Sequence, residues 1–453
     1  MPNQLSTYWK LHKISILLAL LSAVLYSTFA YHLERTDFIR LLTLFAALFF
    51  IYFKLIQFEK WNVKFLVGAG LLFRFTFLFA EPNLSQDFYR FIWDGHLTIN
   101  FINPYLEVPD TLIAQENLII ANASQLHSGM GGLSAQHYSN YPPLNQLLFA
   151  FAALVGGKSI LGSIVVMRTL IIAADIGIFY FGRKLLKYLN RSPHLIFWYF
   201  LNPLVIIELT GNLHFEGVML FFFIWSIYLL SVKKWMWAAV PYAFSIAVKL
   251  VPLLFLPLFL KHFGFKKSIP FYLIIASICI LLFWPFYAPE FIANYIKTIG
   301  LWFSNFEFNA GFYNVVKNIA VDFNAKPWEL IKTYGTITQI VTVLVVLLFT
   351  FFRRNQQLSV MFSSMLFILT IYYLMSATVH PWYIIFLIVL TLFTDYRFAI
   401  IWSATVVLSY FAYSKADFKE NMWLLAIEYI AVYGFLIYEI FSQSGQKLIF
   451  RKN

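Results

Sequence analysis

Long apolar runs separated by short polar joints dominate the chain, near residues 14–30, 38–56, 65–80, 161–182, 194–211, 215–232, 235–248, 250–260, 268–287, 334–352, 358–378, 381–394, 397–413 and 422–441. A hydrocarbon layer of ~30 Å is crossed by about 17–25 helical residues, or by shorter helices that share a crossing. The pattern therefore predicts an all-α polytopic membrane protein, a bundle of about 12–14 transmembrane helices in a single integral domain over 1–453. Two stretches interrupt it. Residues 81–160 form a large first outer loop expected to hold interfacial helices, and 288–333 a second outer loop. Met1 to Lys13 shows no small-residue cleavage site, so the first run is expected to be an anchor.

Composition sharpens this reading. Hydrophobic residues make up 61% of 453 and charged residues 12%, against about 25% charged in soluble domains. An ordinary soluble enzyme, a disordered chain and a disulfide scaffold are excluded, the last because Cys279 is alone. The net charge of +12 is explained by topology and not by nucleic acid. If 142–157 stays on the outer side, one set of joints collects Lys10, Lys13, Lys54, Lys60, Lys64, Arg183, Lys184, Lys187, Arg191, Lys233, Lys234, Lys261, Lys266, Lys267, Arg353, Arg354, Arg397, Lys447, Arg451 and Lys452, opposed only by Glu59 and Asp395. Acids outnumber bases in the other set. Such Lys/Arg asymmetry orients membrane proteins with the basic joints in the cytoplasm. Both termini are then expected inside, in a bacterial inner membrane, and the acidic loops outside.

Three cations remain within or at the ends of apolar runs: Arg74, Arg168 and Lys249. A cation at the bilayer centre costs roughly 2.5–3.5 kcal/mol on the mildest scale, so each needs a partner, a wet cavity or the interface. Asp175 is a candidate partner for Arg168, and three cations at one depth point to an anion site. The first outer loop opens with Ser85-Gln86-Asp87-Phe88-Tyr89-Arg90-Phe91-Ile92-Trp93-Asp94-Gly95-His96 and runs to Asn103-Pro104-Tyr105. As a helix it sets Asp87, Arg90 and Asp94 on one face, two carboxylates towards a cavity at membrane level. Desolvation there makes a carboxylate a stronger base.

The segment from Asp87 to Tyr105 resembles the first outer loop of the GT-C superfamily of polyprenyl-phosphate-sugar-dependent glycosyltransferases, and most closely its mannosyltransferase branch. Trp93-Asp94-Gly95 with Asn103-Pro104-Tyr105 is similar to bacterial α-mannosyltransferases that use polyprenyl-phosphate-mannose, and the Asp87 to Pro104-Tyr105 spacing to the GPI first-mannose transferases. In order along the chain, Tyr141-Pro142-Pro143, Met167-Arg168-Thr169 with Asp175, Asn202-Pro203-Leu204, Lys249-Leu250-Val251-Pro252 and Val379-His380-Pro381-Trp382-Tyr383 continue the likeness over about residues 70 to 390.

The resemblance implies transfer of a hexose, mannose first, from a polyprenyl-phosphate donor to a glycan or glycolipid acceptor on the outer face, with inversion. It implies Asp87 as general base, supported by Arg90 and Asp94, and Arg168, Lys249 and His380, with Arg74, as donor-phosphate contacts. Glu208, Asn212, His214, Glu216 and Tyr141 are expected to meet the acceptor or the sugar. Membrane lipids and the two substrates are the expected partners, without nucleic acid. Many relatives carry two acids where Ser85 and Gln86 precede Asp87 here. One acid suits a base better than a metal site, so no cofactor is required and a divalent metal, Mg or Mn, is not expected. Glu208-x5-His214-x-Glu216 is not a convincing zinc spacing. Rival classes make different demands: a transporter or flippase predicts inverted repeats, absent from the sequence, and a lipid-linked glycan ligase or polymerase usually places its main outer loop late.

Overall fold

The computed structural model describes residues 4–115, 118–415 and 417–449, with the side chains of 4–5, 302–304 and 444–449 outside that description. Arg451, Lys452 and the side chain of Lys447 thus lie outside the described residues. Every apolar run is helical. Seven helices are long and apolar enough to cross a membrane: Ser6–His32, Phe38–Phe58, Ile160–Tyr188, Phe265–Phe286, Pro327–Phe352, Leu358–Met375 and Met422–Gln443. An eighth candidate is the pair Pro193–Phe200 and Pro203–Gly211, bent by 53°. The remaining runs give shorter helices, among them Val63–Phe75, Glu216–Ser231, Trp235–Val248 and Ile384–Leu392. No strand forms among the described residues, only one isolated bridge between Phe308 and Thr378.

Proline explains where runs are cut. Its missing N–H and fixed φ start helices and stop them, and Pro193, Pro203, Pro252 and Pro381 each stand at the first turn of a new segment. At the bend, the Asn202 side chain accepts from Leu204 N at 3.0 Å and caps the second half. The short helices are apolar all round; Ile384–Leu392 is buried along its whole length and Trp235–Val248 over most of it beyond its first turn, which is how a helix with no polar face must sit. The outward faces of the long ones expose Phe50, Leu273, Ile280, Leu344 and Ile430, the surface that lipid tails solvate.

Contacts sort the joints between helices into two ends. At one end His12 meets Glu59 (2.8 Å), Trp61 packs on His194 (5.3 Å between rings), Arg191 pairs with Asp395 (2.7 Å) and His262 meets Asn355 O (3.1 Å). This end gathers the described basic joints named above. At the other end lie helices Asp87–Ile99, Ala123–Ala135, Pro143–Gly156, Phe291–Ser304 and Gly311–Asp322. Both ends of the Pro143–Gly156 helix are tied to the loop that precedes it: Tyr105 OH donates to Tyr141 O (2.6 Å), and Asn122 Nδ2 to Lys158 O (2.7 Å).

Candidate active site

The Asp87–Ile99 helix is pressed onto Pro143–Gly156. Gly95 allows this, because a Cβ there would sit 2.4 Å from the carbonyl oxygen of Phe149. Phe91 stacks on Phe149 at 4.5 Å and meets Tyr141 edge-on at 5.0 Å. Asp94 fixes the rotation of the helix: its carboxylate accepts from Arg90 Nε (2.7 Å), Ser139 Oγ (2.6 Å) and Gln146 Nε2 (3.2 Å). Arg90 in turn donates to the carbonyls of Ser134 and His137. Asp94 is fully buried and does not line the cavity, so the expectation that this helix turns two carboxylates towards it is corrected to one.

That one is Asp87, at the first turn of its helix and on the wall of a cavity of about 270 Å³. Arg90, Tyr141, Asn145, His214, Glu216, Lys249, Thr298, His380, Trp382 and Tyr383 share the wall. Burial pushes the Asp87 carboxyl up to about 6; the Lys249 and Arg35 charges hold it down and Glu216 pushes it up. Its backbone N–H bonds Ser85 Oγ at 3.3 Å.

Lys249 and Glu216 meet where the end of one short helix lies beside the start of another. Glu216 begins Glu216–Ser231, Lys249 follows Trp235–Val248 in extended conformation, and the two form an ion pair. Asn145 Nδ2 donates to Val248 O at 2.8 Å and holds this corner to the Pro143–Gly156 helix. Behind it is a stack of three rings. The Trp382 indole lies between His214 (3.7 Å) and His380 (4.3 Å, planes 5° apart). His380 rests also against Phe308 at 5.2 Å, and among the described residues its buried Nδ1 has no hydrogen-bond partner. Burial, with Lys249 and Arg35 adding to it, drives the His380 imidazole down to about 3, so the ring is neutral at pH 7. The same bridge that orders 306–310 holds it in place, through Phe308 N to Ala377 O (3.0 Å) and Val379 N to Phe308 O (2.8 Å).

Glu208 and Asn212, expected at the substrate, stand behind the cavity. Glu208 accepts from Tyr410 OH (2.5 Å) and Asn212 Nδ2 (3.1 Å), with His214 Nε2 at 3.5 Å. Asn212 Oδ1 takes the Leu84 N–H at 3.2 Å, just before the Asp87 helix. Both therefore brace the turn that presents His214 and Glu216. Arg74 and Arg168 are likewise displaced from the expected phosphate site. Arg74 is fully buried against Asp175 (2.7 Å) and the carbonyls of Gly70 and Phe200. Arg168 is fully buried and donates to the carbonyls of Thr210 (2.7 Å), Leu78 (3.0 Å) and Gly211 (3.0 Å). Asp175, expected beside Arg168, belongs to Arg74 and to Tyr199 OH (2.6 Å). A buried charge with such partners satisfies helix ends instead of binding ligand.

Among the described residues no three His, Cys, Asp or Glu side chains gather as a metal site would need. Asn145 was not among the residues singled out from the sequence, although Asn145-Gln146 inside an apolar helix is a visible signal, and neither was Arg35.

A multi-pass helical bundle with a carboxylate, an ion pair and a neutral imidazole around one cavity is the build of a GT-C-type membrane glycosyltransferase. The chain belongs to the alpha-(1->6)-mannopyranosyltransferase family, whose N-terminal-domain description matches residues 20–263, a little over half of it. It is accordingly a mannosyltransferase. No curated protein matches the chain. The matched span includes Asp87, His214, Glu216 and Lys249, while His380 and Trp382 lie beyond it.

Proposed function

We propose that this protein transfers mannose from a polyprenyl-phosphate-linked donor to a glycan or glycolipid acceptor, with inversion, on the extracytoplasmic face of a bacterial inner membrane. The observation that carries the reading is Asp87: a cavity carboxyl raised to about 6, close to Lys249 and Glu216. Near pH 7 it is mostly ionised and still basic enough to take a proton, which is the condition for general-base catalysis. The basic end of the bundle supports the orientation, since Lys/Arg-rich joints face the cytoplasm and the cavity is at the opposite end.

The acceptor hydroxyl oxygen attacks the anomeric carbon as Asp87 takes its proton. The bond from that carbon to the phosphate oxygen breaks, and its electron pair leaves with polyprenyl phosphate. Lys249 changes partner from Glu216 to the phosphate and stabilises the growing charge, as positioned cations do in a water-poor site. The neutral His380 contributes a hydrogen bond and no charge. Arg90 and Asp94 position the helix that carries the base. A β-linked donor then yields an α-linked product, and the family's own linkage suggests the acceptor's 6-hydroxyl. A divalent metal is not required in this scheme, because Glu216 is held by Lys249 and a dication beside Lys249 and Arg35 would be repelled.

Purified protein in detergent, given β-linked polyprenyl-phosphate mannose and a mannose-containing acceptor, should release polyprenyl phosphate and form an α-linked product, with activity retained in EDTA. Turnover with a nucleotide-linked mannose and none with the lipid donor would reject the donor assignment. Loss in EDTA restored by one metal would reject the metal-free scheme.

A further inference from the structure

The cavity as described so far is short of positive charge. Its wall holds the acids Asp87 and Glu216 and the bases Lys249, paired with Glu216, and Arg90, neutralised by the buried Asp94, while Arg74 and Arg168 are engaged elsewhere. A lipid-linked phosphodiester entering such a cavity adds a further negative charge, and its cleavage product carries more. Like charges this close in a medium poorer than water repel by several kcal/mol, so the reaction needs a second cation.

Arg35 stands just outside the residues that line the cavity, two rings away from His380. It sits in the joint between helices Gln4–His32 and Phe38–Phe58. Its guanidinium lies 3.3 Å above the Tyr413 ring. Tyr413 is 5.6 Å from Phe308, and Phe308 is 5.2 Å from the cavity residue His380. Among the described residues Arg35 forms no ion pair, and its buried Nε has no acceptor. An arginine stacked by its face keeps the N–H fork in its plane, where two oxygens of one phosphate fit. The charge of Arg35 acts together with that of Lys249 on the same two groups, lowering the Asp87 carboxyl against burial and lowering His380 further.

We propose that Arg35, stacked on Tyr413, is a second cationic contact for the phosphate of the lipid-linked donor and acts together with Lys249. The inference rests on the donor reading above, and the two are separable by experiment. The probes are a polyprenyl phosphate and the polyprenol of the same length, each competing with donor in the transfer assay. The parent protein should prefer the phosphate. Arg35→Gln should weaken phosphate binding about 10–100-fold, the span of a lost charged hydrogen bond of about 1.5–3 kcal/mol, and leave polyprenol binding unchanged. Arg35→Lys, which keeps the charge and loses the fork, should fall between. Equal loss of phosphate and polyprenol would make Arg35 a packing residue for Tyr413, and unchanged preference for phosphate would remove it from the site. Should Arg35→Gln fail to fold, the ratio in Arg35→Lys decides: no drop in phosphate preference overturns the proposal. A parent protein indifferent to the phosphate would instead overturn the donor reading itself.

Discussion

Replacing Asp87 by Asn tests the centre of the mechanism with little structural disturbance. The Asp87 carboxylate lies on the cavity wall, and the bond that shapes the helix start, from its backbone N–H to Ser85 Oγ, survives the change. Stability should hence alter little, whereas the ability to take the acceptor proton disappears. Removing a general base is worth typically about 10²–10⁴ in rate, and the fall should appear in turnover at saturating donor. The pH dependence gives a second handle. With its carboxyl at about 6, the active form is the ionised one, so activity is full above that value and lost as pH falls through it. From pH 7 to pH 5 the ionised fraction drops from about nine tenths to about one tenth, a roughly tenfold loss on general-base grounds. Lys249→Gln removes a charge that holds the carboxyl down, so it should shift the profile to higher pH in addition to weakening donor use. Release of polyprenyl phosphate, followed by mass spectrometry across pH 5 to 8, reads all three. Near-parental turnover in Asp87→Asn, or a flat profile between pH 5 and 7 in the parent, would refute the assignment.

Arg74→Met should act on folding and not on donor affinity, because it leaves Asp175 buried without its ion-pair partner. Breaking such a pair costs about 3–5 kcal/mol, which thermal unfolding in detergent will report, and an unchanged Tm with a raised donor KM would contradict it. Gly95→Ala should separate the Asp87 helix from Pro143–Gly156, since the new Cβ would meet a backbone oxygen at 2.4 Å; lowered turnover with donor binding retained is expected, and full activity would mean that the two helices can part freely. With Cys279 replaced, single cysteines at 158 and 305 should react with an impermeant thiol reagent from outside and one at 187 only after permeabilisation. Labelling of 187 from outside would reverse the orientation.

The sequence conveyed the helical membrane class fully, because apolar length is a property of composition along the chain. It conveyed the cavity in part. Asp87, Lys249, Glu216, His214, Tyr141 and His380 do share one wall, and all six stand at joints where order along the chain limits where a side chain can be. Asp175 was assigned to Arg168 and not to Arg74, because an intramembrane cation announces that it must be satisfied, but backbone carbonyls such as those of Thr210 and Gly211, which satisfy Arg168 and leave Asp175 to Arg74, leave no mark in a list of side chains. Asp94 follows Asp87 by two helical turns and shares its face, yet the cavity opens only at the first turn, while Ser139 and Gln146 close over the second. Arg35 could not be singled out, since its meaning depends on Tyr413 far along the chain.

The three carbonyls that Arg168 ties together come from the turn after Val63–Phe75 and from the residues before Asn212, so the segment that leads to His214 and Glu216 is anchored to the long Ile160–Tyr188 span. Opposite it, the wall contributed by Phe291–Ser304 supplies Thr298, Ile299 and Leu301 and exposes Ile292 and Ile296 outward. One wall is thus a hydrogen-bonded template, and the other a single-helix partition with apolar residues on its outward side. Selection for a different sugar would have to rewrite the template residue by residue, whereas adaptation to a longer, shorter or more branched acceptor or lipid can proceed by altering the partition, leaving the chemistry intact.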